Sequence, residues 1–123
     1  MAEQIIEYCA EKGIVSIRIN GVLNQNRARA FLSQAVAEAA LHECGKFLID
    51  FRQASVAEST FGILNHVKEL GEIGLRKSDL VAVIAVSDLS EHQFFETAAR
   101  NRGWYNIQFF QTESDALKWL ESE

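Results

Sequence analysis

Asp50 and Arg52 stand two residues apart where the apolar run KFLIDF ends, and Ser55 follows at once. A second group, Ser87, Asp88 and Ser90, follows the other apolar run, LVAVIAV. An acid, a guanidinium and hydroxyls just past buried strands suit anion recognition, because an open parallel sheet binds ligands outside its strands' carboxyl ends, where helix N-termini direct free N–H groups. Arg52 would then be the counter-charge for a phosphate or carboxylate. The same residue types also serve structure alone: Ser55, Ser87 and Asp88 as helix caps, with Arg52 in solvent. Ser59 and Thr60 place two hydroxyls near a helix start, where a phosphate's charge would meet the positive end of the helix.

No catalytic set accompanies these residues. His42, His66 and His92 are widely separated in the chain, with neither the paired spacing of a metalloprotease helix nor the cysteines to complete a zinc site, so no metal site is expected. Ser87, Asp88 and His92 permit a Ser/His/Asp combination on paper, but it lacks the strand–nucleophile–helix elbow and an oxyanion donor. A small hydrolase or transferase stays as an alternative, requiring a nucleophile and a base within about 3 Å in a pocket. Gly62, Gly71, Gly74 and Gly103 form neither the dinucleotide fingerprint nor a phosphate loop, and no cofactor is expected. The cluster Arg100-Asn-Arg102-Gly-Trp104-Tyr105 falls at the opposite, amino-terminal edge of the expected sheet. Arginine there complements the end of a helix dipole, which favours a structural use over nucleic-acid binding.

The bulk numbers bound the class. At 123 residues, 48% hydrophobic and 24% charged, one globular domain spanning residues 1–123 is expected. Twelve basic residues against 17 acids give a net charge of -5, so no global positive field recruits nucleic acid or an anionic membrane. Cys9 and Cys44 are too few for a disulfide scaffold and fit a reducing compartment. The N-terminal stretch has no basic segment before an apolar one, and no apolar run approaches the roughly 18 residues of a membrane span. A cytoplasmic protein is expected, alone or as a homodimer if Phe61, Phe94 or Phe95 stays outside the core.

The elements that must hold these residues can be read in order. Gln4 to Cys9 and Ile14 to Ile19 alternate in polarity around Glu11-Lys12-Gly13, which predicts an antiparallel hairpin. Asn20-Gly21 reads as the turn ending the second strand. From Asn24 or Asn26 to about His42, Ala28, Phe31, Leu32, Ala35, Val36 and Ala39 form a helical stripe, and Gly45 is placed at its left-handed terminus. KFLIDF is a central strand, and Ser55-Val-Ala-Glu58 has capping-box spacing for a helix from Val56 to Leu70, closing at Gly71 or Gly74. LVAVIAV, Leu80 to Val86, should lie deep beside KFLIDF. A helix from Asp88 to about Arg102 ends at Gly103, Asn106 to Phe110 is the last strand, and Thr112 starts a final helix burying Ala116, Leu117, Trp119 and Leu120. The order is β-β-α-β-α-β-α-β-α, an α/β fold with a five-stranded mixed sheet and helical crossovers.

The early hairpin, the KFLIDFR strand end, LVAVIAV and the closing segment ETAARNRGWYNIQFFQTESDALKWL together resemble the STAS superfamily, and within it the SpoIIAA-like family of small bacterial proteins that is compared with the lipid-binding CRAL-TRIO fold. The resemblance implies a STAS/SpoIIAA-like domain that binds rather than catalyses, recognising a protein partner or a small amphipathic ligand. Antagonists of anti-sigma factors in this superfamily carry Asp-Ser-Ser-Gly after the third strand, its first serine phosphorylated by a partner kinase. Here Glu58-Ser59-Thr60-Phe61-Gly62 stands at that place, so the resemblance implies Ser59 as the acceptor of an alternative, phosphorylation-controlled switch. Glu58 replaces the aspartate, Thr60 the second serine, and Phe61 stands where the glycine is expected.

Overall fold

A computed structural model describes residues 3–23, 25–56, 74–84, 97, 100, 101 and 103–122. The elements in chain order are β1 (Glu3–Cys9), β2 (Ile14–Leu23), α1 (Gln25–Leu41), β3 (Lys46–Val56), β4 (Leu80–Ile84), β5 (Ile107–Phe110) and α2 (Glu113–Ser122). The strands form one sheet in the order β1-β2-β3-β4-β5. β1 pairs antiparallel with β2, and the other three pairings are parallel. The mixed five-stranded sheet expected from the sequence is therefore present. The stretches expected to form the second and third crossover helices lie largely outside the described residues.

The polarity of each strand matches its cover. Along β2, Val15, Ile17 and Ile19 are fully buried, while Arg18 between them is exposed, so only one face of this strand is packed there. β3 and β4 are buried on successive residues, Phe47 to Asp50 and Val81 to Ile84, as continuous apolar runs covered on both faces should be. α1 packs on the β1–β2 side through Phe31, Ala35 and Ala39, joining Val15, Ile17, Phe47, Ile49, Val81 and Trp104 in the larger core. α2 packs on the other face, where Ala116 and Leu120 meet Ile14, Leu48, Ala82 and Ile84.

Three local expectations are corrected. Asn20-Gly21 does not end β2: Gly21 takes φ 84° inside the strand, which runs on to Leu23. Ser55 does not cap a helix and Val56 does not begin one, because β3 continues through both, with Val22 opposite Ser55 and Leu23 opposite Val56. The two departures have one cause. Each strand offers the other a parallel ladder beyond the point where local turn and cap signals would have stopped it, and several backbone hydrogen bonds outweigh a cap worth about 1 kcal/mol. The third concerns the end of α1, where Glu43, and not Gly45, takes the left-handed conformation at φ 51°. Cys44 N donates to Ala39 O at 2.8 Å and Glu43 N to Ala40 O at 3.4 Å, the paired bonds of a Schellman closure. Gly45 serves packing instead, since a Cβ there would lie 3.2 Å from Asp79 Oδ1.

Candidate functional site

β4 faces β3 residue for residue from Leu80 opposite Lys46 to Ile84 opposite Asp50, and the described strand stops there. β3 runs six residues further, Phe51 to Val56, and among the described residues this stretch pairs with β2. Asp50, Arg52 and Ser55 thus lie within one strand at the carboxyl edge of the sheet, the last two where β3 runs on beside β2. Just past Asp50 the β2–β3 register shifts: Arg18 opposes Asp50 but Asn20 opposes Gln53, which leaves Phe51 and Arg52 facing Ile19 across that pair. Such a bulge strands a backbone N–H and re-aims the side chains around it.

Asp50 meets that requirement. Its Oδ1 accepts the Arg52 backbone N–H at 3.0 Å and Arg52 Nε at 3.0 Å, while Oδ2 accepts Arg52 Nη2 at 2.7 Å. Across the ladder Arg18 Nε lies 3.8 Å from Oδ2, and from the start of α2 Glu113 Oε2 lies 3.7 Å from Arg52 Nη2. The result is an alternating row, Arg18, Asp50, Arg52, Glu113, with the acid's side chain only 10% exposed and Arg18 56% exposed. Burial by itself would raise the Asp50 carboxyl. The hydrogen bonds from Arg52's side chain and backbone, with the charges of Arg52 and Arg18, outweigh it and hold the group below the ordinary carboxylate range. The Arg52 guanidinium is raised in turn, first by its hydrogen bond to Asp50 and by that charge.

A carboxylate so placed is a poor acid or base. Both oxygens are engaged, and the ionised form is the one its partners favour. The row instead presents Arg18, the outer part of Arg52 and Glu113 to whatever approaches this edge. Asn20 Oδ1, at the same bulge, is buried and has no hydrogen-bond partner among the described residues.

Of the residues singled out from the sequence, Asp50 and Arg52 are brought into direct contact, and Ser55 lies further along the same strand. Ser59, Thr60, Ser87 and Asp88 lie outside the described residues, as do His66 and His92. His42 is at the other end of the molecule, stacked on Tyr8 with ring centroids 3.9 Å apart and its Nε2 3.3 Å from Glu38 Oε1. Sequence reasoning missed Arg18 and Glu113. The period-two pattern of β2 put Arg18 on the polar face, but only the parallel register set it opposite Asp50; Glu113 was visible as an acid in a helix's first turn. Among the described residues no group of three or more His, Cys, Asp or Glu side chains is arranged to hold a metal ion, and no helix is long and apolar enough to cross a membrane.

No family model matches the chain, and no curated protein matches it. Solved structures do. An anti-sigma factor antagonist from Mycobacterium paratuberculosis is similar with a TM-score of 0.62 and 18% identity, over 98% of this chain and 94% of that one. A protein of the DUF3478 family with a SpoIIAA-like fold, from Shewanella loihica, gives 0.58 and 23% over 98% and 95%. The anti-sigma factor antagonist SpoIIAA in its unphosphorylated form gives 0.54 and 17% over 98% and 100%, and the phosphorylated form of the Bacillus cell fate determinant SpoIIAA gives 0.54 and 16% over 96% and 99%. At these identities the likeness is one of architecture: the strand order, the antiparallel hairpin on a parallel core and the full-length match give this chain the SpoIIAA-like fold.

Proposed function

We propose that the protein is a single-domain, non-enzymatic regulator of the cytoplasm that works by binding a protein partner at the carboxyl edge of its sheet. The observation that carries this reading is the bulged β2–β3 pair at that edge with its row of Arg18, Asp50, Arg52 and Glu113. Its charges are fixed by internal pairs and the outer ones reach solvent, which suits recognition and leaves no group poised for proton transfer. Similarity to anti-sigma factor antagonists supports a protein as the partner. Ser55, Ser59, Thr60, Ser87 and Asp88 complete the proposed surface. A small amphipathic ligand is the other occupant this reading admits.

The test is a two-hybrid screen against the proteins of the same cell, repeated with Arg18→Ala and, as a control, Lys118→Ala. Loss of an interaction with the first variant and its retention with the second supports the reading. Catalytic turnover abolished by replacing Ser87, Asp88 or His92 overturns it. Native mass spectrometry of the protein as purified separates the two occupants, since a retained small ligand adds its own mass.

A second reading, a phosphorylation-controlled switch through Ser59, is favoured by the existence of a structural neighbour in a phosphorylated form and by the place of Ser59 after the third strand. Ser59→Glu would then change partner affinity, and incubation with kinases of the same cell would add one phosphate to the intact mass. Unchanged affinity together with an unmodified Ser59 removes this reading and leaves the first standing.

A further inference from the structure

At the other end of the sheet, the chain enters β4 and β5 through neighbouring turns that carry a concentration of positive charge. Arg76 to Asp79 is a closed turn: Asp79 N donates to Arg76 O at 2.9 Å, and Arg76 N to Asp79 Oδ2 at 2.9 Å. The turn before β5 is stitched to it. Asn106 Nδ2 donates to Lys77 O at 3.2 Å, and Val81 N to Asn106 O at 2.8 Å. Gly103, at φ 90°, lets the lysine cross: a Cβ there would lie 2.9 Å from Lys77 Nζ, which sits 6.0 Å from the centroid of the Trp104 ring. Arg100 closes the same turn by accepting Gly103 N at 3.0 Å.

What this end displays is cationic and aromatic. The Arg76 side chain is 68% exposed, Lys77 and Arg100 are exposed, and Tyr105 is 67% exposed. The acid of the first turn, Asp79, is buried and bound by Arg76, so it offsets that guanidinium and leaves Lys77 and Arg100 as the other exposed cations of these turns. Next to Lys77, a shallow cleft of about 420 Å³ continues the surface past Ser78, lined also by Lys12, Lys46, His42, Glu43 and Tyr8. Among the described residues this end carries more cations than acids, in a chain whose net charge is -5.

We propose that these two turns form a second recognition surface, separate from the carboxyl edge, and that it takes an acidic segment of a partner protein. Complementary charge selects the acidic residues, and Arg and Tyr are side chains enriched at protein–protein contacts. Attachment to an anionic membrane draws on clusters of about four to eight basic residues, whereas here Arg76 is paired with Asp79, Lys46 Nζ is bound to Leu120 O, and Glu43 lies among the cations of the cleft. A nucleic-acid footprint is a wider basic stripe, opposed here by the acidity of the whole chain.

Fluorescence anisotropy of a fluorescein-labelled peptide, Asp-Glu-Asp-Leu-Glu-Asp-Phe, titrated with the full chain at low ionic strength tests this. The peptide should bind more tightly than its Asn/Gln counterpart and weaken with added salt. Lys77→Gln and Arg100→Gln should each raise Kd about threefold, and both together about tenfold. Lys118→Gln, the same charge change on α2, should leave it unchanged, and urea midpoints should show every variant folded. Equal binding of the two peptides, an equal effect of Lys118→Gln, or preference for phosphatidylserine vesicles or a single-stranded oligonucleotide overturns the proposal. Because the carboxyl edge is untouched by these variants, each surface stands or falls alone.

Discussion

Replacing Asp50 by Asn tests whether the carboxyl edge is held by the charge row. The variant keeps one oxygen for the Arg52 backbone N–H but puts an amide donor where Oδ2 accepted Nη2 at 2.7 Å. A hydrogen bond to a charged group contributes about 1.5 to 3 kcal/mol, and removing one partner of a fully buried ion pair costs about 3 to 5 kcal/mol. Here the Arg52 side chain is 35% exposed and Arg18 more so, so water screens part of the guanidinium charge and the lower range applies, about 2 kcal/mol. With a urea slope of about 2 kcal/mol/M, the midpoint should fall by about 1 M at neutral pH. Asp50→Ala also strands the bulge N–H and should cost about 3 kcal/mol. The pH dependence fixes the mechanism. The native carboxyl titrates below its unfolded value, so the stabilisation is complete above the unfolded value of about 3.9 and is lost as pH falls from there through the depressed native value. The gap between wild type and Asp50→Asn should therefore close in acid. Equal midpoints at neutral pH, or a gap that persists below both values, would refute the reasoning.

Three further outcomes follow from local geometry. Glu43→Gly removes the cost of a left-handed non-glycine residue at the end of α1 and should raise Tm by about 3 °C, corresponding to about 1 kcal/mol; a lower Tm would contradict the Schellman assignment. Gly74→Ala faces both φ 102° and a Cβ placed 2.9 Å from Val36 Cγ1, so it should destabilise by about 1 to 3 kcal/mol in urea unfolding, and a neutral effect would mean that Val36 can move aside. Lys46→Met removes the 2.6 Å bond from Nζ to Leu120 O near the end of α2. The expected loss is about 1 kcal/mol, seen as faster amide exchange in the last turn of that helix, and unchanged exchange would show that the bond contributes little.

The hairpin, α1, the buried pair β3 and β4 and the Thr112 cap, whose Oγ1 accepts Asp115 N at 3.2 Å, were legible because each is written in consecutive residues. The site was legible only in part. Asp50 and Arg52 are two apart in sequence and their contact follows from the strand that carries both. Arg18 lies 32 residues before Asp50 and Glu113 lies 61 residues after Arg52, and no local pattern links them.

The sequence by itself determined which strands are covered on both faces, since a continuous apolar run tolerates water on neither side and an alternating one exposes its polar half. It also determined where a helix must begin at Thr112. The tertiary structure decided how far β2 and β3 run, because that depends on each strand finding the other as a partner beyond its own turn signals. The same pairing created the bulge, and with it the need for the Asp50 carboxylate to take up a backbone N–H. An apparent free acid at a strand end is for that reason a fixed counter-charge, and the surface proposed for recognition is made by its neighbours across the sheet.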